Sequence, residues 1–349
     1  MSFLARENGA ITISIFGINI KFTNHLGIEH NDAGPYAIWD LVKSHAEVPF
    51  FTKGINVQHG WFPFKIYPGD IERSKSLMLV WNKRYKDNWH NFSDVPCEIV
   101  GAPFVHYRRD NNITIAPEAQ GTVAFPAHSC DSIKAEYNIS QYCDELSSLP
   151  SELKPITVCL HPKDIRNYHL DEVYRSHGFQ VVCAALTPDK LFHEAFYDIL
   201  SKHRFATSNG IGTHVFYAVE MGIPFFISGN PPEYVDHGGV YSENDDDRLH
   251  PTEQHAYELF RNQPLGVITE EQREYVLSEM GVNDCLSQEE LNLVIRRAAL
   301  KEYDALSPAA KLGRFCKLCL RHPLRVGELL RYQRFVSESR KMLLEKGAA

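Results

Sequence analysis

Two stretches of the chain carry residue types from which a ligand site can be built. Thr207-Ser208-Asn209-Gly210-Ile211-Gly212-Thr213-His214 lies between a strand pattern and a helix pattern. Its small residues let the backbone approach a ligand, and the amides at the helix start would face an anion such as a phosphate. Ser208 and Thr213 could add hydroxyl donors. A third glycine and a Lys-Ser/Thr pair are missing, so the motif is neither GxGxxG nor a Walker loop and implies neither a dinucleotide nor ATP. His161-Pro162 follows the strand pattern ITVCL, and His128-Ser129 follows TVAFPA. A histidine there can donate to a phosphate oxygen while the proline stiffens its loop, so three loops could converge on one anion. His250-Pro251 and His322-Pro323 follow no strand and read as ordinary turn or helix-start sequences.

The other stretch is Gln58-His59-Gly60-Trp61, placed after a strand pattern and before Phe62-Pro63-Phe64. A histidine on a glycine-flanked loop beside aromatics suits a general base that takes a proton from a hydroxyl, and Trp61 could stack on a sugar face. Asp32 and Glu29, near His30, are alternative bases. Glu220, near the end of the helix pattern THVFYAVEM, could meet a ribose or sugar hydroxyl; the plain alternative is a solvated glutamate. Asp245, Asp246 and Asp247 read as a solvated acidic loop rather than a metal site. The eight cysteines show no framework spacing, and Cys316 and Cys319 form a CxxC with only His322 nearby, short of a zinc ligand set. The expectation is no metal and no bound cofactor.

Elements that would position these residues follow from hydrophobic periodicity. Ala10 to Phe22 alternates as a strand pair or hairpin, a helix is expected over Tyr36 to His45, and short strands over Gly54 to Gln58, Leu77 to Trp81 and Cys97 to Val100. Residues 107–120 are polar and turn-rich and make the best linker. Strand and helix patterns then alternate at least four times, through TVAFPA, a helical stretch to about Leu146, ITVCL, FQVVCAA, a helix around Asp189 to His203, RFATS, THVFYAVEM and PFFIS. Gly222 closes the helix THVFYAVEM, with Pro224 beyond it. This rhythm calls for a parallel, doubly wound sheet with its ligand outside the carboxyl ends of the strands. The expected units are 1–115, a short α/β domain; 116–284, a nucleotide-binding Rossmann-like domain; and 285–349, a helical segment with a basic tail.

The balance of 44% hydrophobic and 23% charged residues over 349 residues is that of a globular protein and excludes collagen, coiled coil and disorder. No apolar run approaches a membrane span, and no secretory leader is expected from Met1 to Gly9, so the reading is cytosolic and the Asn-x-Ser/Thr sequons at Asn91, Asn112 and Asn138 carry no weight. The net charge of −8 conceals a division: residues 311–349 hold ten Lys or Arg against three Glu, a tail of +7 on a body of −15. So acidic a body argues against nucleic acid as a partner. Apolar residues at mostly helical spacing in the tail fit either a packed helix with a solvated basic face or an interfacial helix on anionic lipid.

The order QHGW, LHPKD and TSNGIGTHVFYAVEMGIPFF resembles the bacterial GT-B glycosyltransferases of surface polysaccharide assembly. Within them it looks most like the sialyl-, polysialyl- and Kdo-transferases and the related CDP-glycerol polymerases, across about residues 54–230. The resemblance implies two Rossmann-like domains facing a cleft, the first one short, with C-terminal helices crossing back to brace it. It also implies a nucleotide-sugar donor, a CMP-linked ulosonic acid being slightly favoured, and a glycan or lipid-linked acceptor, with peripheral contact of 311–349 with the inner membrane. Carried over residue by residue, His161-Pro162 and Ser208 with Thr207 would hold the nucleotide and its phosphate, and His59-Gly60 would supply the base. From the residues themselves, His128, Ser129, Asn209, Gly210, Gly212, Thr213 and His214 join the phosphate loops. A nucleotide-sugar epimerase of the same fold and a non-catalytic nucleotide- or glycan-binding protein are the alternatives.

Overall fold

The computed structural model describes residues 3–7, 10–15, 18–23, 34–63, 66–129, 133–184, 191–236, 250–261, 265–312 and 326–347. Asp32, Glu29, His30, the run 245–247, and Cys316, Cys319 and His322 lie outside them, as does the part of the basic tail from 313 to 325. The described residues form a mixed α/β fold with two parallel sheets. An antiparallel meander opens it, with strands β1 (Phe3–Glu7), β2 (Ala10–Ile15) and β3 (Ile18–Thr23). The hairpin expected over Ala10 to Phe22 is β2 with β3, and β1 extends it.

The first parallel sheet has the order β4 (Ile55–Val57), β5 (Leu77–Val80), β6 (Cys97–Ile99). Helices α2 (Pro68–Arg73) and α3 (Lys83–Trp89) make the crossovers, while α1 (Ile38–His45) precedes the sheet and α4 (Pro103–Asp110) follows it. Strands β4 and β5 are buried throughout, as in a parallel sheet covered on both faces, and the one polar residue among them, Asn56, is hydrogen-bonded. Part of the expected linker is α4 instead. Pro103 stands at its first position, where a missing N–H is harmless, and its basic last turn is ion-paired, which is why a polar run could be helical.

The second sheet joins β7 (Thr122–Ala124), β9 (Ile156–Cys159), β10 (Gln180–Val182), β11 (Phe205–Ser208) and β12 (Phe225–Ile227) in the order β10-β9-β7-β11-β12. All four pairings are parallel. The first strand is central, with two successors on each side, which is Rossmann order. Val123 and Ala124 point to opposite faces. Ala124 packs with α5 (Ile139–Ser148) and α7 (Leu170–Ser176), and Val123 with α8 (Phe192–Ser201) and α9 (Thr213–Met221). The sheet is therefore doubly wound. The stretch after Ser129, expected to be helical, first forms β8 (Ile133–Glu136), which pairs antiparallel with β13 (Glu233–Asp236). A partner so distant in sequence leaves no local signal.

Helices α10 (Pro251–Arg261), α11 (Glu270–Met280), α12 (Gln288–Asp304) and a last helix, Val326–Glu345, complete the fold. Capping boxes start α11 at Thr269 with Gln272 and α12 at Ser287 with Glu290. α12 and the last helix lie on the first unit: Glu302 accepts from Thr52 and Ser76, and Phe50 packs on Tyr332 and Phe335. One apolar core runs from Val57, Leu79 and Trp81 through Val215 and Phe216 to Val123, Phe125 and Ala206. Arg340 on the last helix pairs with Asp304, and Lys346, just beyond its end, with Glu289, so part of the tail's charge is met by the body. None of the described helices is long and apolar enough to cross a membrane.

Two helix-ending glycines separate conformation from packing. Gly222 ends α9 at φ 93°, with open space where a Cβ would stand. Gly281 ends α11 at φ 64°, and a Cβ there would fall 1.6 Å from the Trp81 carbonyl oxygen. Gly222→Ala should therefore cost about 1 kcal/mol. Gly281→Ala should cost more than ~4 kcal/mol or prevent folding, because backbone would have to move. Thermal unfolding of the two variants checks the difference.

Candidate functional site

The strand connections run to opposite sides from β7 and β11, so the crevice between their carboxyl ends is the sheet's switch point. The loops after both strands meet there. Asn209 is fully buried, and its Oδ1 accepts the Ala127 N–H at 2.8 Å, which tethers the β7 loop to the β11 loop. That bond fixes the amide's orientation and leaves Nδ2 as a donor. Nδ2 is buried and has no hydrogen-bond partner. Gly210 lies against Ala127 and Pro232, and the Ser208 hydroxyl, also fully buried, accepts the Gly210 N–H at 3.1 Å. Thr207 instead donates to Phe226 O within the sheet, a structural use.

Helix α9 starts at this crevice. Its N-cap is Gly212, and no side chain caps it, whereas Asn82, Asn138, Thr269 and Ser287 cap α3, α5, α11 and α12. Five successive residues, Val215 to Val219, are buried, as befits a helix that is apolar on nearly all sides. His214, in its first turn, stacks on Phe125 at 5.2 Å, and its Nε2 is a second buried atom without a partner. Burial, with a smaller contribution from His128, lowers its pKa to about 3. A third such atom is the Tyr142 hydroxyl on α5. Tyr142 and Asn209 both border Gly229, in the loop after β12. Unpaired buried polar atoms are rare and costly, and two of them, on Asn209 and His214, belong to the β11 loop and the first turn of the helix it leads into.

His128 and His161, from the loops after β7 and β9, stack with ring centroids 4.5 Å apart and planes 18° from parallel. His128 is exposed, and His161 caps α6 (Pro162–Tyr168) by accepting the Lys163 N–H on Nδ1 at 3.3 Å. The buried Pro162 holds the first position of α6. Ser129 is buried, and its N–H donates to Asp164 at 3.2 Å. Asp164 is buried behind the histidine pair, and burial raises its carboxyl pKa, opposed by the Ser129 bonds and by His128. Asp164 lies within LHPKD, and its place in the first turn of a proline-started helix is the signal the sequence carries for it.

The first unit reaches this crevice through its β4 loop. Trp61 N–H donates to Thr213 Oγ1 at 3.2 Å, and a Cβ on Gly60 would stand 3.7 Å from the same oxygen. Gln58 shapes the loop by donating to Gly60 O and accepting from Trp81 N–H. His59 packs edge-on against Phe62 and Tyr67, at 5.0 and 5.5 Å, and these two rings stack on each other. Burial, then the Arg73 charge, pulls the His59 pKa down to about 4, so the imidazole is neutral near pH 7. Behind it lies a network that the sequence did not reveal. Asp70, fully buried, accepts from Tyr85 Oη at 2.7 Å and Asn56 Nδ2 at 3.0 Å, and Tyr67 N–H donates to Tyr85 Oη at 3.0 Å. Burial raises Asp70 to about 6, with the Tyr85 and Asn56 bonds and Arg73 opposing.

Two expected ligand residues are occupied elsewhere. The Glu220 carboxylate is 1% exposed and takes Arg108 on both oxygens at 2.7 Å, with Arg109 on one, so it ties α4 to α9 and has no face for a ribose. Trp61 is buried, lies 4.8 Å from Phe216 and donates its indole N–H to Glu279 at 2.6 Å; it anchors the loop rather than presenting a stacking face. The remaining residues, His59, His128, Ser129, His161, Ser208, Asn209, Gly210, Gly212, Thr213 and His214, come from four loops at the facing carboxyl edges of the two sheets. Among the described residues no three His, Cys, Asp or Glu side chains gather as metal ligands.

The depressed His214 pKa has a consequence for stability. Its folded value of about 3 lies below the ordinary 6.5, so between these values the unfolded chain binds the extra proton. Stability from this group is complete above pH 6.5 and is lost as pH falls toward 3, by at most about 1.4 kcal/mol per unit. His214→Phe should therefore lose less stability than the wild type between pH 6.5 and 4.5, by up to ~2 kcal/mol. Denaturant unfolding at the two pH values measures the difference.

Compared with known proteins, the chain matches no family model, no curated protein and no solved structure.

Proposed function

We propose that the chain is a metal-independent glycosyltransferase of GT-B-like build. It would move a sugar from a nucleotide donor, a CMP-linked ulosonic acid being favoured, to a hydroxyl of a surface-glycan acceptor such as capsule or lipopolysaccharide. The observation that carries the reading is the meeting of two loops. The His59-Gly60 loop of one parallel sheet rests on Thr213 at the uncapped start of α9, at the switch point of the other sheet. An anion seated on the β11 loop would take the Asn209 amide, the Thr213 hydroxyl and the first amides of α9, with His161 and His128 approaching from the side. Oriented donors that need no rearrangement stabilise the charge growing on a departing nucleotide phosphate. A neutral histidine across the cleft is placed to accept the acceptor's proton as its oxygen attacks.

The outer face of the last helix offers a surface for a lipid-linked acceptor's membrane. Leu330 and Leu344 are 55% and 65% exposed, and exposed Arg334 and Lys341 share their stripe at helical spacing. Arg334→Glu with Lys341→Glu should reduce sedimentation with anionic vesicles and leave nucleotide binding unchanged.

The decisive experiment is a thermal-shift panel with CMP, CDP, UDP, GDP and their sugars. A selective shift names the donor class, and no shift with any nucleotide sinks the reading. His161→Ala should weaken nucleotide binding roughly tenfold, whereas His59→Ala should bind nucleotide normally and abolish transfer. Since His59 must be neutral to act, kcat/KM should fall on the acid side near pH 4 rather than 6.5. Isomer formed from donor alone would indicate an epimerase, and saturable binding without nucleotide release under any acceptor would indicate a non-catalytic binding protein.

A further inference from the structure

The loop that carries His59 is held by chain more than 200 residues away. Trp61 Nε1 donates to Glu279 Oε2 at 2.6 Å. Arg84 grips both oxygens of the same carboxylate, with Nε at 3.1 Å and Nη2 at 2.7 Å, and that Nη2 also donates to Phe62 O at 3.0 Å. Asn82 Nδ2 donates to the Glu279 main-chain oxygen at 2.7 Å. Both residues that follow Gly60 are thus fastened, directly or through Arg84, to one carboxylate that is 6% exposed.

That carboxylate is itself immobilised. Gly281 sits against the Trp81 carbonyl, Ala102 N–H donates to Met280 O at 2.8 Å, and Leu286 N–H donates to Ile99 O at 2.9 Å. Residues 279–286 therefore cover the carboxyl ends of β5 and β6. The carboxyl end of β4 is left to its own loop, and Trp61 N–H holds this loop on Thr213. A buried ion pair is weak evidence for stability, because desolvation offsets much of its attraction. Its geometric effect here is specific: it fixes where the residue before Gly60 stands relative to the start of α9.

We propose that Glu279 is a positioning residue for the candidate site, holding the His59-Gly60 loop against Thr213 through Trp61 and through Arg84 and Phe62. The significance of that position rests on the reading of His59 as the acceptor's base. Glu279→Gln keeps the shape and one acceptor for Trp61, but its amide group would confront a guanidinium donor, so Arg84 and Phe62 are released. Arg84→Lys removes the two-pronged grip from the other side, on a side chain that is 25% exposed and tolerant of change.

The test uses the full chain and three readouts. The His59 ring proton, assigned with His59→Gln, is titrated by NMR; the Trp61 indole N–H resonance, assigned with Trp61→Phe, is followed; and CMP affinity is measured by calorimetry. The expected result for Glu279→Gln is a His59 midpoint raised from about 4 toward the ordinary 6.5. The Trp61 indole resonance should move upfield, and CMP affinity should change by less than about threefold. Arg84→Lys should move both spectra in the same direction by less, and it decides the question if Glu279→Gln does not fold. Unchanged His59 titration and Trp61 resonance in a folded variant overturn the proposal. So does a loss of CMP affinity as large as that from His161→Ala, which would mean general damage. If CMP binds neither wild type nor variant, the glycosyl-transfer reading falls while the two spectra still decide the role of Glu279.

Discussion

The structure turns on a charge placed where water hardly reaches. The Glu279 carboxylate, 6% exposed at the end of α11, needs strong donors, and those available are Arg84 from α3 and the Trp61 indole from the β4 loop. Satisfying it therefore draws together the first parallel sheet, the loop that leaves it and a helix from far along the chain. The same helix packs beside α9, so the loop is delivered to the start of α9 and to the switch point of the second sheet. Arg108 and Arg109 on Glu220 repeat the device between α4 and α9. Two buried carboxylates, each with guanidinium partners, thus fix the two sheets with their carboxyl edges facing.

The electrostatics of the facing edges follow from burial rather than from added charge. Desolvation keeps His59 and His214 neutral and raises the carboxyl pKa of Asp70 and Asp164. Beside them stand dipoles: the start of α9, the Asn209 amide and the hydroxyls of Ser208 and Thr213. The stacked pair of His128 and His161 adds two imidazole rings, brought together from the loops after β7 and β9.

Legibility in the sequence divided along physical lines. Patterns that depend on near neighbours were readable: the strands of the second sheet, the full extent of α9 from Thr213 to Met221, and its closure at Gly222 follow from hydrophobic period and one glycine. The loops of the candidate site were readable because small residues between a strand and a helix are a local feature. Pairings across long separations were not. β8 is too short to announce itself without β13, and polar residues 107–110 looked like linker until Glu220 supplied the partner that makes them a helix end. Trp61 and Glu220 were legible as chemistry-bearing types but not as buried ones, since burial is set by what packs on a residue. Glu279 carried no signal at all, being one glutamate in a polar helix whose buried side depends on tertiary contact.

The unequal division of the chain also has a physical account. One face of the first parallel sheet has its own small core of Met78, Val80, Tyr85 and Trp89, whereas the residues of the other face, Val57, Leu79 and Trp81, are continuous with the core of the second sheet. The missing layer comes from α12 and the last helix, which cover Phe50 and meet Thr52 and Ser76 through Glu302. A unit completed in this way cannot swing freely as an independent domain, since its own core includes helices that follow the second sheet in sequence. Adjustment around a ligand is then a matter of loops and side chains at the carboxyl edges. The most consequential of these is the short run from Gln58 to Phe62, where a one-residue displacement would break the contact of Gly60 and Trp61 with Thr213.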